Sequence, residues 1–203
     1  TRYGTVTGVQ TCALPISNLW IGTQPLSSAK NFKKLPRFGL TGLAEYNRKI
    51  YAGSWNGVYQ IDSATYEPDT IISNHLMHNP HGIHVDNTGI YTVINGKDTV
   101  VQSDFDGAII DHFSIAPDLT VKKIPGLETI DWRFISKQYL GSTGIWHFNY
   151  IQIIEDELWL TSRNANCFVV INKDRSKARL ELIGYSTPVL IHDGFKYGNI
   201  HYL

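Results

Sequence analysis

Three observations predict an all-β chain. Aromatic residues make up 12% of the 203 positions and glycine occurs 17 times, a composition that suits pleated strands and tight turns better than helices. Short apolar runs alternate with turns rich in Asn, Asp and Gly along most of the chain. The pairs Ile50-Tyr51, Ile90-Tyr91, Leu158-Trp159 and Ile200-His201 follow one another at 40, 68 and 42 residues, a period near forty with one insertion inside the 68. Four strands recurring at about forty residues are the pattern of propeller blades. The expected fold is therefore all-β, a partial β-propeller of four-stranded antiparallel blades. About three blades read as complete and two as partial, a piece of a ring of six or seven.

Taken in order, residues 1–17 have neither helical nor strand period. Their stretch 9–16 resembles a translated sequencing adapter, so a non-native or disordered leader is expected. The propeller reading covers 18–203, with blades near 18–36, 37–75, 76–141, 142–188 and 189–203. The first contributes one strand at 18–23. The second has runs at 39–46, 49–54, 58–62 and 70–73, with turns at Asn47-Arg48 and Asn56-Gly57. Asn-Gly favours a two-residue hairpin because both positions tolerate positive φ. The third repeats this order at 82–85, 90–94, 99–104 and 108–115, with Asn95-Gly96 in the hairpin position. Its insertion, 116–141, is expected to carry a short helix or an extra hairpin on one face of the ring. The fourth has runs at 149–154, 157–161, 167–172 and 178–183, and the last begins at 191.

Bulk properties exclude several functions. Eighteen basic and 18 acidic residues give a net charge of zero, so no field of one sign is left to hold a polyphosphate, and nucleic acid is not expected as a partner. The two cysteines, Cys12 and Cys167, make neither a disulfide framework nor a zinc spacing. Cys167 falls in an apolar run and reads as a small hydrophobe. No apolar run reaches the roughly 18 to 20 residues of a spanning helix.

The stretch Asn79-Pro-His-Gly-Ile-His-Val-Asp-Asn-Thr-Gly-Ile-Tyr-Thr-Val is followed by Asn-Gly, a strand ending at Asp104, and Asp-Gly. It resembles the NHL-type repeat, Pro-x-Gly-Ile-x-Val-Asp-x-x-Gly-x-Ile-Tyr-Val. The likeness is good over 79–111 and loose over 39–203. The first full unit lacks the Pro and Asp, and Tyr150-Ile151 replaces Gly-Ile in the third. The resemblance implies a blade, within a superfamily of binding scaffolds, lyases and metal-dependent lactonases, and a secreted or periplasmic setting.

His75, His78, His81 and His84 recur at intervals of three, but Pro80 and Gly82 argue against a helical stripe of ligands. His81 lies just before the first strand of its blade, the end that opens on the channel mouth. Shifted by the repeat, Thr41 and Asn149 are its equivalents, and His192 falls within one residue of the same level. His147 lies two before Asn149, and Asp193 follows His192. This predicts a ring at one end of the channel. His81, His147 and His192 are candidate catalytic groups, since imidazole serves as base or metal ligand near neutral pH. Asn149 and Asp193 are candidate metal ligands, since their oxygens suit calcium or another divalent ion. Thr41, His84, Trp55 and Trp146 are candidate substrate contacts, the tryptophans offering a stacking surface for sugar or peptide. The same residues can instead satisfy open backbone groups at strand ends, with the tryptophans packed between blades.

Asn79-Pro-His-Gly-Ile also resembles an element of the paraoxonase family of calcium-dependent lactonases, which are six-bladed propellers. That resemblance implies His81 as active-site histidine and Asn149 as calcium ligand. The expected function is binding of a small molecule, sugar or protein at the channel mouth. The alternative is a metal-dependent hydrolase, lactonase or lyase using the channel histidines.

Overall fold

The computed structural model describes residues 41–54, 56–94, 97–123, 131, 133, 144–182, 195–197 and 200–202. Among them there is no α-helix, and no helix is long and apolar enough to cross a membrane. The strands fall into antiparallel sheets that follow sequence order. The first sheet holds β1 (Leu43–Tyr46), β2 (Lys49–Ser54), β3 (Gly57–Asp62) and β4 (Pro68–Ile72). The second holds β5 (Pro80–Asp86), β6 (Gly89–Ile94), β7 (Thr99–Ser103), β8 (Ile109–Ile115) and a short fifth strand, β9 (Val121–Lys122). The third holds β10 (Phe148–Ile154), β11 (Glu157–Ser162), β12 (Cys167–Asn172) and β13 (Ala178–Leu182). A hairpin of β14 (Phe195–Tyr197) and β15 (Ile200–Tyr202) follows. The expected leader, the partial blade at 18–36, most of the insertion and residues 183–194 lie outside the described residues.

The repeat is visible in the register. A two-residue turn joins the first two strands of every sheet, closing at Tyr46↔Lys49, Asp86↔Gly89, Ile154↔Glu157 and Tyr197↔Ile200. Ile50, Ile90 and Leu158 are each the second residue of a second strand, so they are equivalent as expected. Ile200 is the first residue of its strand and aligns with Lys49, one place out of the expected register. Apolar content alone could not show this, because the turn residues set the frame. Asn47 and Arg48 (φ 49° and 60°) form a turn with positive φ at both positions, which twists with the strands. At Gly89 (φ 130°) a Cβ would lie 2.3 Å from the carbonyl oxygen of Ser103, so only glycine fits.

Two expected hairpin turns differ. Ser54 pairs with Gly57, so that turn comes one residue early and Gly57 belongs to β3. Ile94 pairs with Thr99, making the expected Asn-Gly turn part of a four-residue connection that ends at Asp98 (φ 46°). In the described part of the insertion β9 pairs with β8 as an extra strand.

The sheets stack face to face as blades, and the fold is a partial β-propeller. Tyr51, Val58 and Ile72 of the first blade meet Ile83, Val85 and Ile90 of the second in one buried cluster. Tyr91, Val93, Val100, Phe113 and Ile115 of the second meet Phe148, Ile151, Leu158, Leu160, Val169 and Ile171 of the third in another. The contacts between sheets run through the first strands, β5 packing against both β1 and β10. That marks β1, β5 and β10 as the inner strands, next to the axis.

Glycine sets how close the inner strands come. Gly42 and Gly82 occupy equivalent places in β1's approach and in β5. A Cβ on Gly42 would lie 1.9 Å from the carbonyl oxygen of His81, and one on Gly82 would lie 2.7 Å from Cα of Tyr150. Both obstacles are backbone, which cannot swing aside.

Gly82→Ala is therefore expected to lower stability by about 1–3 kcal/mol through overpacking, read as a drop in melting temperature. A second expectation concerns Asp62, whose carboxylate accepts the backbone N–H groups of Thr65 and Ala64, both at 2.9 Å, and an ammonium hydrogen bond from Lys49. The two backbone bonds pull its pKa from 3.8 down to about 2. A carboxyl depressed in the fold stabilises above its unfolded pKa and loses that contribution as pH falls through the folded value. Asp62→Ala should melt lower than the parent at pH 7, and the gap should close as pH is taken from 3.8 toward about 2.

Candidate functional site

Each inner strand begins with a β-bulge, and the bulges are equivalent. In the first blade the Thr41 N–H donates to the Gly53 carbonyl (3.0 Å) while the Gly53 N–H donates to the Gly42 carbonyl (2.9 Å), so two residues oppose one. In the second, Pro80 pairs with Ile94 and Ile83 with Thr92, leaving His81 and Gly82 opposite Val93. In the third, Phe148 pairs with Ser162 and Tyr150 with Thr161, leaving Asn149 as the extra residue. Thr41, His81 and Asn149 each stand eight positions before the first residue of a second strand, namely Lys49, Gly89 and Glu157. A bulge bends the strand and re-aims the extra side chain. Counted the same way from Ile200, the slot in the last unit is His192. His192, Asp193 and Trp55 lie outside the described residues.

Two positions before each of the later bulges the chain turns through the left-handed region, at Asn79 (φ 50°) and His147 (φ 51°). Asn79 Nδ2 lies 3.3 Å from His81 Nε2, and the His81 and His147 rings meet edge to face with centroids 6.2 Å apart. The Thr41 hydroxyl donates to the carbonyl of Pro80, linking the first bulge to the second. The structure thus brings Thr41, Asn79, His81 and His147 into one linked cluster. Gly82, next to His81, lies close against the backbone of Tyr150, next to Asn149.

His147 is held by a carboxylate from the neighbouring blade. Asp98 accepts the N–H of Trp146 at 3.0 Å and that of His147 at 2.9 Å, with a further backbone bond from Ile145. Burial pushes the Asp98 carboxyl up, against the pull of these bonds. Gly144 completes the fit, since a Cβ there would lie 2.5 Å from the carboxylate. On the other side Ser162 donates its hydroxyl to the Trp146 carbonyl at 2.7 Å. Asp98 and Ser162 carry no sequence signal for this place, and Asn79 stands in the repeat motif without a role assigned to its side chain. Asn79 carried a usable signal, its place two before His81 matching His147 before Asn149.

Asn149 is 3% exposed, and among the described residues neither its amide nitrogen nor its amide oxygen has a hydrogen-bond partner. Leaving such groups unpaired away from water costs about 1–3 kcal/mol.

The other candidates lie apart from this cluster. Trp146 is 6% exposed, stacks on Phe148 at 6.1 Å and donates its indole N–H to the Ile115 carbonyl at 3.0 Å, which places it in the core between blades. His84 lies further along β5, its ring 6.2 Å from Tyr91 and 4.0 Å from Asp86. Burial lowers its pKa, with Asp86 opposing. Burial pushes the Cys167 thiol up to about 11, so it is no thiolate nucleophile at neutral pH. Among the described residues no three His, Cys, Asp or Glu side chains are grouped to hold a metal ion. Calcium prefers six to eight oxygens, carboxylates among them. The one described carboxylate beside the cluster, Asp98, is already engaged by backbone N–H groups, so the described residues do not by themselves fit calcium.

No family model matches the chain, and no curated protein sequence matches it. Among solved structures it is similar to the computationally designed Ika4 protein, at 9% identity over 83% of this chain and 86% of that one, with a TM-score of 0.49. It is also similar to the extracellular domain of a hybrid two-component system from B. thetaiotaomicron, at 16% identity over 80% of this chain and 20% of that one, with a TM-score of 0.45. A third is streptogramin B lyase, at 12% identity over 75% of this chain and 57% of that one, with a TM-score of 0.42. The chain thus spans less than two thirds of the length of the two natural proteins. Identities and scores this low say nothing of activity, and the assignment as a propeller rests on the blades' own register and packing.

Proposed function

We propose that the protein is a binding domain of the NHL-type propeller kind, whose ligand docks at the channel mouth on the bulge residues. The observation that carries this reading is Asn149. A polar side chain kept buried and unpaired in the slot where three bulges line up is costly to the fold, and an apolar residue would serve packing better. A ligand that meets the amide removes the cost on binding. The NHL likeness of 79–111, with six or seven blades usual for such repeats, supports a scaffold that binds a small molecule, sugar or protein segment.

Asn149→Leu tests it. If the amide waits for a ligand, the variant melts higher than the parent, by a stabilisation of about 1–3 kcal/mol. If it melts lower, the amide is already satisfied within the fold and the reading fails.

A second reading is favoured by the His81–His147 pair, whose ring separation of 6.2 Å lets two imidazoles flank one ion. Here the protein is a metal-assisted hydrolase or lyase. Melting curves with added calcium, zinc or manganese separate the two. An upward shift with one ion that His81→Ala abolishes supports the metal form, and no shift with any of them removes it.

A further inference from the structure

We propose that the outer edge of the third blade is a self-association surface, on which β13 of a second copy of this chain pairs antiparallel with β13 across a twofold axis at Leu180. With β1, β5 and β10 innermost, the fourth strand of each blade faces outward, and its outward N–H and C=O groups are a template for another strand. The second blade shows that this edge takes one, since β9 pairs with β8 at Ser114↔Lys122 and Ile115↔Val121. The first blade blocks the same edge, because β4 begins with Pro68, which has no N–H to give, and with the charge of Asp69. Among the described residues β13 has neither a fifth strand beside it nor a proline within it.

The backbone of β13 is set for such a pair. The Asn172 N–H donates to the Lys177 carbonyl at 3.1 Å, so these opposed residues bond across β12 and β13. Bonded and unbonded pairs alternate along an antiparallel ladder. The backbone groups of Arg179 and Glu181 therefore point at β12, and those of Ala178, Leu180 and Leu182 point away from the sheet.

The side chains of β13 also complement their own copy. The strand reads Ala-Arg-Leu-Glu-Leu. Antiparallel pairing centred on Leu180 sets Leu180 opposite Leu180 of the second copy and Arg179 opposite Glu181, once on each side of the axis. Leu180 then exchanges two backbone bonds with its counterpart, while Arg179 and Glu181 fall in the unbonded pairs, where side chains come closest. Opposite charges directly across two strands attract, and like charges repel. All three side chains are accessible, Leu180 being 42% exposed and the side chains of Arg179 and Glu181 47% and 41% exposed. Arg179 is held in place beforehand. Glu157 grips its guanidinium (Nη2 to Oε2 2.9 Å), the Trp159 ring centroid lies 5.7 Å away, and Nε stands 4.0 Å from Glu181. Glu181 of the second copy thus meets a side chain with little freedom left to lose. Each copy spends the same edge, so association stops at two. Five residues a side make a small surface, which fits a weak, reversible pair.

Sedimentation velocity of the full 203-residue chain tests this, from roughly 1 µM to 1 mM, the range of weak contacts. The expected result is a monomer–dimer equilibrium. Glu181→Arg sets like charges opposite one another in both pairs and should weaken the dimer by roughly tenfold or more. Air oxidation checks the register with cysteines placed in a Cys12→Ser background, the remaining Cys167 being buried. Leu180→Cys should give a disulfide-linked dimer faster than Ser176→Cys, because residue 180 of the two copies lies about 5.5 Å apart at Cα, within a disulfide's span. Ser176 is also exposed but stands before the strand, far from its counterpart. A dimer that responds in both ways supports the proposal. A chain that stays monomeric throughout, species larger than a dimer, a dimer that Glu181→Arg leaves as tight, or cross-linking no faster with Leu180→Cys than with Ser176→Cys overturns it.

Discussion

Val169 and Val170 are neighbours on β12, both fully buried, and they belong to different hydrophobic clusters. Successive side chains of a strand point to opposite faces, so this sheet must be covered on both. The same holds for β2, where Ile50 and Ala52 pack on one side and Tyr51 on the other. A sheet with two apolar faces is stable only between two others, and right-handed twist makes successive sheets fan around an axis rather than lie flat. The arrangement of blades follows from that requirement. Truncating a buried residue such as Phe148 would cost about 3–5 kcal/mol.

Against terms of that size, a local polar penalty can be carried. The unpaired amide of Asn149 costs about 1–3 kcal/mol, less than the packing of the one phenylalanine that precedes it. The bulges explain why the penalty sits there. An inner strand that entered its sheet without the extra residue would continue the pleat, and its side chains would go to the blade faces. The extra residue falls outside that alternation. Glycine next to the bulge in the first two blades lets the inner strands touch, at Gly42 against His81 and Gly82 against Tyr150. The bulge slots are thereby drawn together.

Asp98 couples two blades to the same place. It closes the connection between β6 and β7, yet its carboxylate serves the backbone of Ile145, Trp146 and His147 in front of β10. Three N–H groups directed at one carboxylate hold the left-handed turn at His147, a conformation that costs a non-glycine residue about 1–2 kcal/mol. Trp146 adds a second anchor through its indole N–H. The orientation of His147 is therefore decided by the blade before it as much as by its own.

The blade architecture was legible in the residues because period, alternation and turn chemistry are local: Ile50, Ile90 and Leu158 announce equivalent strands without any knowledge of contacts. The equivalence of Thr41, His81 and Asn149 was legible too, since it follows from the same period. The one-residue slip at Ile200 and the four-residue connection before Thr99 were not, because a turn is fixed by which residues pair across it. Nor could the chain alone reveal that the shared slot is a bulge, that Asp98 reaches His147 across 49 positions, or that Asn149 is buried with no hydrogen-bond partner among the described residues. Local sequence determined which segments become strands and how often they recur. Only tertiary structure decided which polar groups the stacked blades satisfy and which they leave open, because those pairings join residues far apart in the chain.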